Sequence, residues 1–435
     1  MCGGLSGFPR AIVHVDGDAF FASCEQAVHA EYRGKPVVTG KERGIVAAAS
    51  YEAKAMGVKR GIALWDVKKL CPNAIIVPSD YETYSLFSKR MFHIMRRFTS
   101  AVEESSIDEG FANITGLRRP MHASYERIAF QMKRTIESDL GITVSVGLST
   151  TKVLAKLASK HKKPSGLTSV PGQAVNSFLG LKPVGEVWGI GLSTTAYCAN
   201  LGIYTALEFA RQTEEYITRY FTKPHQEIWR ELNGEQVYEV ATEEKSIYAS
   251  ISKTRTFTPP SAEADYVLAQ LLKNLENVCI KARRHRLLAT GLLLFLKRQD
   301  FTYQGVELTL SRATAYPQDM TAIVREAFTD LYHERTWYRA TGVVLTGLTA
   351  DTTVQTSLFE EPVRLEKLQR MYEALDSLAE RFGKHTVYLA ASLAAHGTPQ
   401  HVLTRGDVPL RKQNRVKGET TRKHLTIPFL LSRVD

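Results

Sequence analysis

The sequence predicts an α+β protein built from several domains. Its 435 residues are too many for one hydrophobic core and suit about three or four domains. Segments with the two-residue period of strands mix with segments of helical period through residues 1–170, and the mixture returns over residues 253–350. Between them, residues 171–240 carry short helical segments punctuated by glycine. We therefore expect two mixed α+β regions separated by a helical one.

The elements of the first region are predicted from their apolar periodicity. Strands are expected where β-branched residues alternate, at residues 11–16, 36–39, 45–49 and 143–148. Helices are expected from helical apolar spacing at residues 20–30, 52–56, 63–70, 81–98 and 123–138. Residues 105–111 are predicted to be two strands that meet at a turn around Asp108 and Glu109.

The second half of the chain is divided by a predicted linker. Residues 241–252 are the expected linker, and a helix near 263–283 and a strand at 287–296 follow it. After a short polar stretch, residues 363–382 are expected to form another helix before a basic C-terminal end.

The charge balance favours a polyanionic partner. Lys and Arg number 56 against 45 Asp and Glu, so the net charge is +11 and the isoelectric point about 9.3. The excess is concentrated in residues 152–163, 281–298 and 401–435. Separate basic patches suit a surface that follows a nucleic-acid backbone.

The cysteines and the hydropathy bound the compartment. Five scattered cysteines form no C-x-x-C pair, which argues against a disulfide framework or zinc ribbon and for a reducing compartment. No signal peptide is evident, and the most apolar stretch, residues 287–296, is about half a membrane span. The expectation is a cytoplasmic protein with no membrane partner.

Two groups of carboxylates are the candidate chemical site. Asp16 and Asp18 form a D-x-D at a predicted strand end, and Asp108 and Glu109 are adjacent acids before Gly110. Neighbouring strand residues point to opposite faces, so both later acids can serve one site only if the chain turns there. Hard oxygen donors suit Mg²⁺, and phosphoryl transfer uses two such ions. The alternative is that these acids only cap helices or lie in solvated turns.

Five motifs in order carry a family resemblance. They are the runs DGDAFFASCE (16–25), YEAK followed by GV (51–58), SIDE (106–109), KPSG (163–166) and VWGIG (187–191). Together they resemble the signatures of the Y-family DNA polymerases, the translesion enzymes. The resemblance spans roughly residues 10–360. It implies a template-directed, error-prone DNA polymerase that acts on primer–template DNA and dNTPs.

The resemblance also implies a right-hand architecture. Its expected parts are a palm at 10–19 and 80–170, fingers at 20–79, a helical thumb with a helix-hairpin-helix at 171–240, the linker at 241–252, an α/β little finger at 253–350, and a tail at 351–435.

The resemblance assigns the metal ligands. Asp16, Asp108 and Glu109 match the catalytic carboxylates, and Gly17 would add a backbone carbonyl. The implied cofactor is a pair of Mg²⁺ ions, for which Mn²⁺ is a substitute.

The nucleotide-binding residues follow from the same motifs. Phe21 matches a steric gate against ribonucleotides, and Phe20 is included beside it, with an ordinary core position as the alternative. Tyr51, Lys54 and Lys163 match triphosphate contacts. This chain departs from the family's pattern with Ala48 in place of a hydroxyl residue and Lys54 in place of Arg, and Ser50 is a candidate to compensate.

DNA contacts are expected in three places. Gly189 and Gly191 would lie in the hairpin of the helix-hairpin-helix, with an ordinary tight turn as the alternative. The other expected DNA-binding residues are Lys253, Arg255, Arg283 and Arg284, for which a solvated face is the alternative.

A clamp-binding peptide is expected just after the little finger. Gln355, Leu358 and Phe359 belong to the run QTSLF, which resembles the peptide by which bacterial polymerases dock on the sliding clamp, the β subunit.

The branch of the family and two other functions stay open at this stage. The first signature resembles DNA polymerase IV, whereas residues 81–84 and 375–389 resemble the polymerase V type, which is expected to need accessory proteins. A nucleotidyl cyclase also places two metals on carboxylates, but it needs no helix-hairpin-helix or clamp peptide. A non-catalytic DNA-binding scaffold would be expected to have lost at least one of the three acids.

Overall fold

The computed structural model describes residues 7–242, 248–351, 362–382 and 385–396. These residues form two compact units, the first from the described residues up to 242 and the second from those beginning at 248. Both units mix helices with sheets, which confirms the predicted α+β class.

The strands of the described residues are, in chain order, β1 (Ile12–Gly17), β2 (Val37–Thr39), β3 (Ala48–Ala49), β4 (Ile75–Val77), β5 (Val102–Glu104), β6 (Glu109–Asn113), β7 (Val144–Ser149), β8 (Leu167–Ser169), β9 (Ser250–Ser261), β10 (Leu287–Arg298), β11 (Tyr303–Thr314) and β12 (Tyr338–Ala350).

The α-helices of the same residues are α1 (Phe20–Val28), α2 (Tyr51–Ala55), α3 (Leu64–Leu70), α4 (Tyr81–Arg96), α5 (Tyr125–Leu140), α6 (Lys152–Ser159), α7 (Val175–Gly180), α8 (Leu192–Asn200), α9 (Ala206–Ala210), α10 (Glu214–Tyr220), α11 (Lys223–Leu232), α12 (Ala264–Arg284), α13 (Pro317–Leu331) and α14 (Pro362–Phe382).

A five-stranded sheet in the order β5-β6-β1-β7-β8 organises the first unit. β1 lies in the middle and is antiparallel to both β6 and β7. Its alternating side chains separate the two faces. Val13 and Val15 pack into the core built with α4 and α5, whereas Ile12 and His14 face α6. Asp16, two residues after His14, lies on the same face of β1, the one that faces α6.

Two smaller cores complete the first unit. Strands β3, β2 and β4 form a short sheet whose core includes Val38, Ala53 and Val67. Helices α7 to α11 enclose a separate core around Leu179, Phe209 and other apolar residues, joined by residues of α6.

The second unit is an antiparallel sheet covered by helices. Its strands run in the order β11-β10-β12-β9, and α12 and α13 pack against one face. Leu275 of α12 and Leu292 and Leu294 of β10 are fully buried there. β10 pairs antiparallel with both β11 and β12 over most of its length.

The structure has an element at each predicted place and corrects several boundaries. The strand predicted at 45–49 is limited to Ala48–Ala49, and the helix predicted at 20–30 ends at Val28. The turn around Asp108 lies between β5 and β6, as predicted. β9 begins at Ser250, so the predicted linker 241–252 is too long at its C-terminal end. Helix α6 was not predicted, because its two lysines, Lys152 and Lys156, were interpreted only as part of a basic patch. None of the described helices is long and apolar enough to cross a membrane.

Candidate active site

The three candidate metal-binding acids lie at one end of the central sheet. Asp16 at the end of β1 is the register partner of Glu109, the first residue of β6. The Gly17 amide donates a hydrogen bond of 2.7 Å to the Asp108 carbonyl, which ties the turn to the end of β1. Because Asp108 lies in the turn and not in the strand, both adjacent acids can serve this end of the sheet.

Glu109 is held in its ionised form. Lys156 of α6 donates to one carboxylate oxygen at 2.7 Å, and His14 Nε2 lies 3.4 Å from the other. Burial by itself would raise the pKa of Glu109, but His14 and Lys156 favour the carboxylate and lower its pKa to about 2. Glu109 therefore carries its negative charge throughout the physiological range.

His14 is a site residue that sequence reasoning missed. Its side chain is fully buried on β1, and Nδ1 is 2.8 Å from the Ser159 hydroxyl of α6. Burial lowers the pKa of His14, so the neutral imidazole is favoured. The signal was available as a polar residue in the alternating strand A-I-V-H-V-D, two positions before Asp16.

Asp16 and Asp108 have different partners. Lys163 Nζ lies 2.5 Å from Asp16 Oδ1, and the Ser106 hydroxyl donates to Asp108 at 2.5 Å. Burial raises the pKa of Asp16, and the Lys163 ammonium opposes that rise. The predicted triphosphate contact Lys163 thus reaches the acid site itself in this structure.

Asp18 is structural and fully buried. It accepts hydrogen bonds from the Ser145 hydroxyl at 2.8 and 3.0 Å and from the Ser165 amide at 2.7 Å. These bonds fasten the KPSG run to β7 and the end of β1. The second acid of the D-x-D therefore positions the segment that carries Lys163.

The donor set fits hard divalent cations. Three carboxylates and the Gly17 carbonyl are oxygen donors of the kind that Mg²⁺ prefers, and the ammonium groups of Lys163 and Lys156 already lie against two of the acids as positive charges. Among the described residues, the three side chains whose potential ligand atoms lie within 4.8 Å of one another are Glu276, His385 and His396 of the second unit. Asp16, Asp108 and Glu109 do not converge to that extent. The acids thus do not form a preassembled cage, which agrees with a cation that keeps water and substrate ligands.

Phe21 and Phe20 have opposite environments. The Phe21 ring is half-buried and stacks on Tyr84, with centroids 4.5 Å apart and planes at 13°. Phe20 is 3% exposed and packs in the core, where its ring also blocks a Cβ at Gly17. The buried ring favours the core position that was the alternative for Phe20. Phe21 stays the candidate gate.

Tyr51 and Lys54 lie together on α2. Lys54 Nζ is 4.2 Å from the Tyr51 ring centroid. Burial and then the carboxylates of Asp18 and Asp16 raise the pKa of Tyr51, so its phenol stays a neutral donor. Burial and then Lys163 lower the pKa of Lys54.

Ser50 does not compensate for Ala48. Its hydroxyl caps α2 by accepting from the Ala53 amide at 3.4 Å and also accepts from the Val37 amide at 3.1 Å. With 1% exposure it is committed to the local fold. The expectation that Ser50 substitutes for the missing hydroxyl is therefore wrong.

The hairpin glycines occupy special backbone positions. Gly189 has φ of +91°, and a Cβ there would lie 2.5 Å from Ile228. Gly191 is the N-cap of α8 and is followed by the exposed Leu192. The geometry leaves the first amides of α8 at the surface of a tight turn.

Two predicted DNA contacts on β9 lie on the helix-covered face. Lys253 and Arg255 are half-buried and share the face of Ile251 and Phe257, which belong to the core. Burial lowers the pKa of Arg255. The exposed face of β9 instead presents the hydroxyl residues Ser252, Thr254 and Thr256. The structure therefore places both cations on the helix-covered face of the sheet and not on its exposed face. Alternation in the sequence separates the two faces but does not show which of them is covered.

Arg283 has an internal role. Its guanidinium makes two hydrogen bonds of 2.8 Å to Asp376 of α14, donates to the Ala315 carbonyl at 2.9 Å, and lies 4.5 Å from the Tyr372 ring centroid. These contacts hold Arg283 within the second unit and do not favour the predicted DNA contact, whereas its neighbour Arg284 is exposed.

The basic run 152–163 is likewise partly internal. Lys152 is 5% exposed and donates to both carboxylate oxygens of Glu103 at 2.7 Å, and Lys156 is paired with Glu109. Lys160 and Lys162 remain exposed. The clamp-peptide residues Gln355, Leu358 and Phe359 and the basic end 401–435 lie outside the described residues.

Comparison with known proteins shows consistent similarity over both units. Sequence profiles described as the impB/mucB/samB family and its C-terminal domain match residues 15–160 and 248–358. DNA polymerase IV of Desulfatibacillum aliphaticivorans is 32% identical over 390 residues, which cover 87% of this chain and 96% of that protein. DNA polymerase IV of Moorella thermoacetica is 34% identical, with 89% and 97% covered.

Solved structures share the fold. A Y-family DNA polymerase chimera of Dbh and Dpo4 superimposes with a TM-score of 0.67 at 23% identity, covering 78% of this chain and 99% of the chimera. An insertion ternary complex of Dbh DNA polymerase gives a TM-score of 0.52 with the same identity and coverage.

Proposed function

The chain belongs to the Y family of DNA polymerases, in its DNA polymerase IV branch, and from that premise we propose that it performs error-prone translesion synthesis by two-metal nucleotidyl transfer. It is a DNA-directed DNA polymerase, so the cyclase alternative is set aside. The similarity of residues 81–84 and 375–389 to the polymerase V type left the branch open, and the full-length relatives resolve it.

One observation carries the proposal. Asp16 and Glu109 are register partners on adjacent strands, and Asp108 is tied by its carbonyl to Gly17. Three acids from two distant parts of the sequence are thereby brought to one sheet end. Carboxylates at one place repel each other unless cations balance them, and Lys156 and Lys163 already lie against Glu109 and Asp16. The assembly of three acids beside two lysines supports a cation-binding role.

Asp16, Asp108, Glu109 and the Gly17 carbonyl would hold the divalent ions, with Mg²⁺ as the proposed metal. When bound there, the ions would supply activation of the primer 3′-hydroxyl and charge balance for the triphosphate. The chain's own contribution is to keep the ligands ionised. Lys156 lowers the pKa of Glu109, and Lys163 opposes the burial that raises the pKa of Asp16.

Lys163 and α2 form the proposed triphosphate-binding side. Asp18 fixes the segment of Lys163 through Ser145 and the Ser165 amide. Tyr51 supplies a neutral phenol and Lys54 an ammonium to phosphate oxygens. Lys54 cannot form the two-pronged contact of an arginine, so we expect weaker orientation of the phosphates.

Phe21 is the proposed sugar gate. Its stacking on Tyr84, with a further edge contact to Tyr81 at 5.4 Å, restrains the ring on one side. A restrained aromatic ring cannot move aside for a ribose 2′-hydroxyl, which supports selection of deoxynucleotides.

We expect the protein to bind DNA through its phosphates, without recognising the base sequence. In the first unit, the amides after Gly191 at the start of α8 can donate to phosphates. In the second, the exposed Arg284 can contact the backbone electrostatically. Docking on the sliding clamp through Gln355, Leu358 and Phe359 is proposed from the sequence motif alone.

The test is primer extension by the purified protein with Mg²⁺ on undamaged and abasic templates. Asp108→Ala removes a carboxylate and should lower extension at least about 10³-fold, the equivalent of several kcal/mol of transition-state stabilisation. Binding of primer–template DNA should be nearly unchanged. Glu104→Ala, an exposed acid at the end of β5, is the matched control and should extend normally.

Each outcome decides something. Wild-type extension with passage over the abasic site supports the polymerase and bypass roles together. Extension that stops at every lesion would contradict bypass. No extension without polymerase V-type accessory proteins, but extension with them, would contradict independent action, and no extension at all would leave a DNA-binding scaffold.

The clamp is tested separately. Adding the sliding clamp should lengthen the products of the wild type. A Leu358→Ala/Phe359→Ala variant should lose that gain while keeping its clamp-independent extension. Equal stimulation of both proteins would argue against this docking peptide.

A further inference from the structure

The second unit contains a cluster of two histidines and a glutamate. Glu276 projects from α12, and His385 and His396 come from the segment after α14. One potential ligand atom from each side chain lies within 4.8 Å of the other two. Hydrophobic packing does not explain why three potential metal-ligand atoms converge. The hydrogen bonds of the three side chains show which of these atoms have other partners.

Two ring nitrogens in this cluster have no hydrogen-bond partner. His385 Nδ1 and His396 Nε2 are both shielded from solvent and unsatisfied. His385 Nδ1 is 3.4 Å from Glu276 Oε2, without the alignment of a hydrogen bond. Buried polar atoms without partners are costly, by about 1–3 kcal/mol each. A bound cation would satisfy both nitrogens and the carboxylate oxygen at once.

The outer contacts leave the inward atoms available. His385 Nε2 is 3.3 Å from Asn277 Oδ1, so this nitrogen carries the proton and Nδ1 keeps its lone pair. Glu276 Oε1 accepts from the Ser392 hydroxyl at 2.7 Å and the Leu389 amide at 3.2 Å, which leaves Oε2 for the cluster. This is the arrangement in which hydrogen bonds orient metal ligands.

The charge and donor types favour a transition metal. His396 offers Nε2, a buried ring nitrogen that has no hydrogen-bond partner. The carboxylate supplies one negative charge, while Lys273 Nζ, bonded to the Ala395 carbonyl at 2.9 Å, adds a positive one. Two imidazoles with one carboxylate match Zn²⁺ chemistry, whereas Mg²⁺ and Ca²⁺ prefer oxygen ligands.

We propose that Glu276, His385 and His396 form a Zn²⁺ site that fastens the segment 385–396 to α12. Ligands from two separate parts of the chain make the ion a cross-link within the second unit. Three protein ligands leave a fourth position for water. The competing explanation is a metal-free ion pair between Glu276 and a protonated His385.

The test is a Co²⁺ titration of the full-length protein followed by visible absorption. Co²⁺ in a four-coordinate site with imidazole ligands absorbs strongly, whereas Co²⁺ at an all-oxygen, six-coordinate site such as the carboxylates of the first unit absorbs weakly. We expect strong absorption that saturates at one ion per chain and disappears when Zn²⁺ is added. His396→Ala and the isosteric Glu276→Gln should lose it.

Two further variants separate ligation from folding. Asn277→Ala keeps all three ligands but removes the partner of His385, and should weaken Co²⁺ binding by about 10–100-fold. His333→Ala changes an exposed histidine of the same unit and should bind like the wild type. Circular dichroism in EDTA checks that each variant folds.

Two absorption results would contradict the proposed Zn²⁺ site. Absence of strong absorption in the folded wild type would contradict the site, as would equal absorption by the folded Glu276→Gln and His396→Ala variants. Zn²⁺ should also raise the midpoint of thermal unfolding in the wild type and His333→Ala but not in Glu276→Gln. An equal rise in all three would place the ion elsewhere.

Discussion

At the scale of single residues, partners decide what each side chain can do. Lys156 keeps Glu109 ionised, and Asp18 is removed from the solvent by Ser145 and the Ser165 amide. Phe21 and Phe20 are neighbours of the same type, yet one lines the candidate nucleotide site and the other belongs to the core.

Phe21→Ala should raise the ratio of ribonucleotide to deoxynucleotide incorporation at least about tenfold, since removing a steric clash of more than 1.4 kcal/mol has that effect. Single-nucleotide kinetics with dNTP and rNTP measure it. Phe20→Leu is the matched control, which should lower the unfolding midpoint without changing the ratio. An unchanged ratio in Phe21→Ala would remove Phe21 as the gate.

Glu25 should make stability depend on pH near neutrality. It accepts the Tyr84 hydroxyl at 2.5 Å behind the Phe21 ring, and burial raises the pKa of Glu25 to about 7. The pKa of Glu25 in the folded protein is above its ordinary value of 4.5, so folding favours the protonated carboxyl. The stability that this protonated group contributes is fully present below pH 4.5 and is lost as the pH rises through 7.

The corresponding variant is Glu25→Gln, which keeps an oxygen for Tyr84 and cannot ionise. Its free energy of unfolding should fall less between pH 5 and pH 8 than that of the wild type, by up to about 3 kcal/mol. Denaturant unfolding at several pH values measures the difference. Parallel pH profiles would show that Glu25 titrates normally in the folded protein.

At the scale of elements, helix faces determine which basic residues are available. α12 ends in Lys281, Arg283 and Arg284, of which Arg283 is directed to α14 and Arg284 to solvent. α6 likewise uses Lys152 and Lys156 internally. A run of cations in sequence is therefore divided by a helix into structural and exposed members.

Arg283→Ala should lower the free energy of unfolding by about 1–3 kcal/mol, because it leaves Asp376 and the Ala315 carbonyl without their donor. Arg284→Ala should leave stability unchanged within about 0.5 kcal/mol. Their effects on DNA affinity should be reversed, with Arg284→Ala the weaker binder. Urea unfolding and fluorescence anisotropy with primer–template DNA give both quantities. A loss of DNA affinity in Arg283→Ala without loss of stability would restore its predicted role.

At the scale of the whole molecule, the chain consists of two units with separate cores and a net charge of +11. The candidate acids all belong to the first unit, and the exposed Arg284 and the Glu276 cluster belong to the second. A chain of this charge should bind DNA chiefly through phosphates.

DNA affinity should therefore fall steeply with salt. If five phosphates are contacted, raising monovalent salt from 50 to 200 mM should weaken binding by about 500-fold, with little dependence on DNA sequence. Anisotropy titrations at several salt concentrations give the slope. A nearly flat dependence would indicate that the exposed basic residues do not face the DNA.

The sequence by itself determined the class and the family and predicted the three acids, because ordered motifs and strand periodicity are local properties of the chain. It also indicated the turn that brings Asp108 and Glu109 to one end of the sheet. The tertiary structure decided which side chains are spent on the fold. The surroundings of Ser50, Phe20, Arg283 and the β9 cations could not be predicted, because burial depends on what packs against a face. Glu276 meets His385 and His396 only through long-range folding.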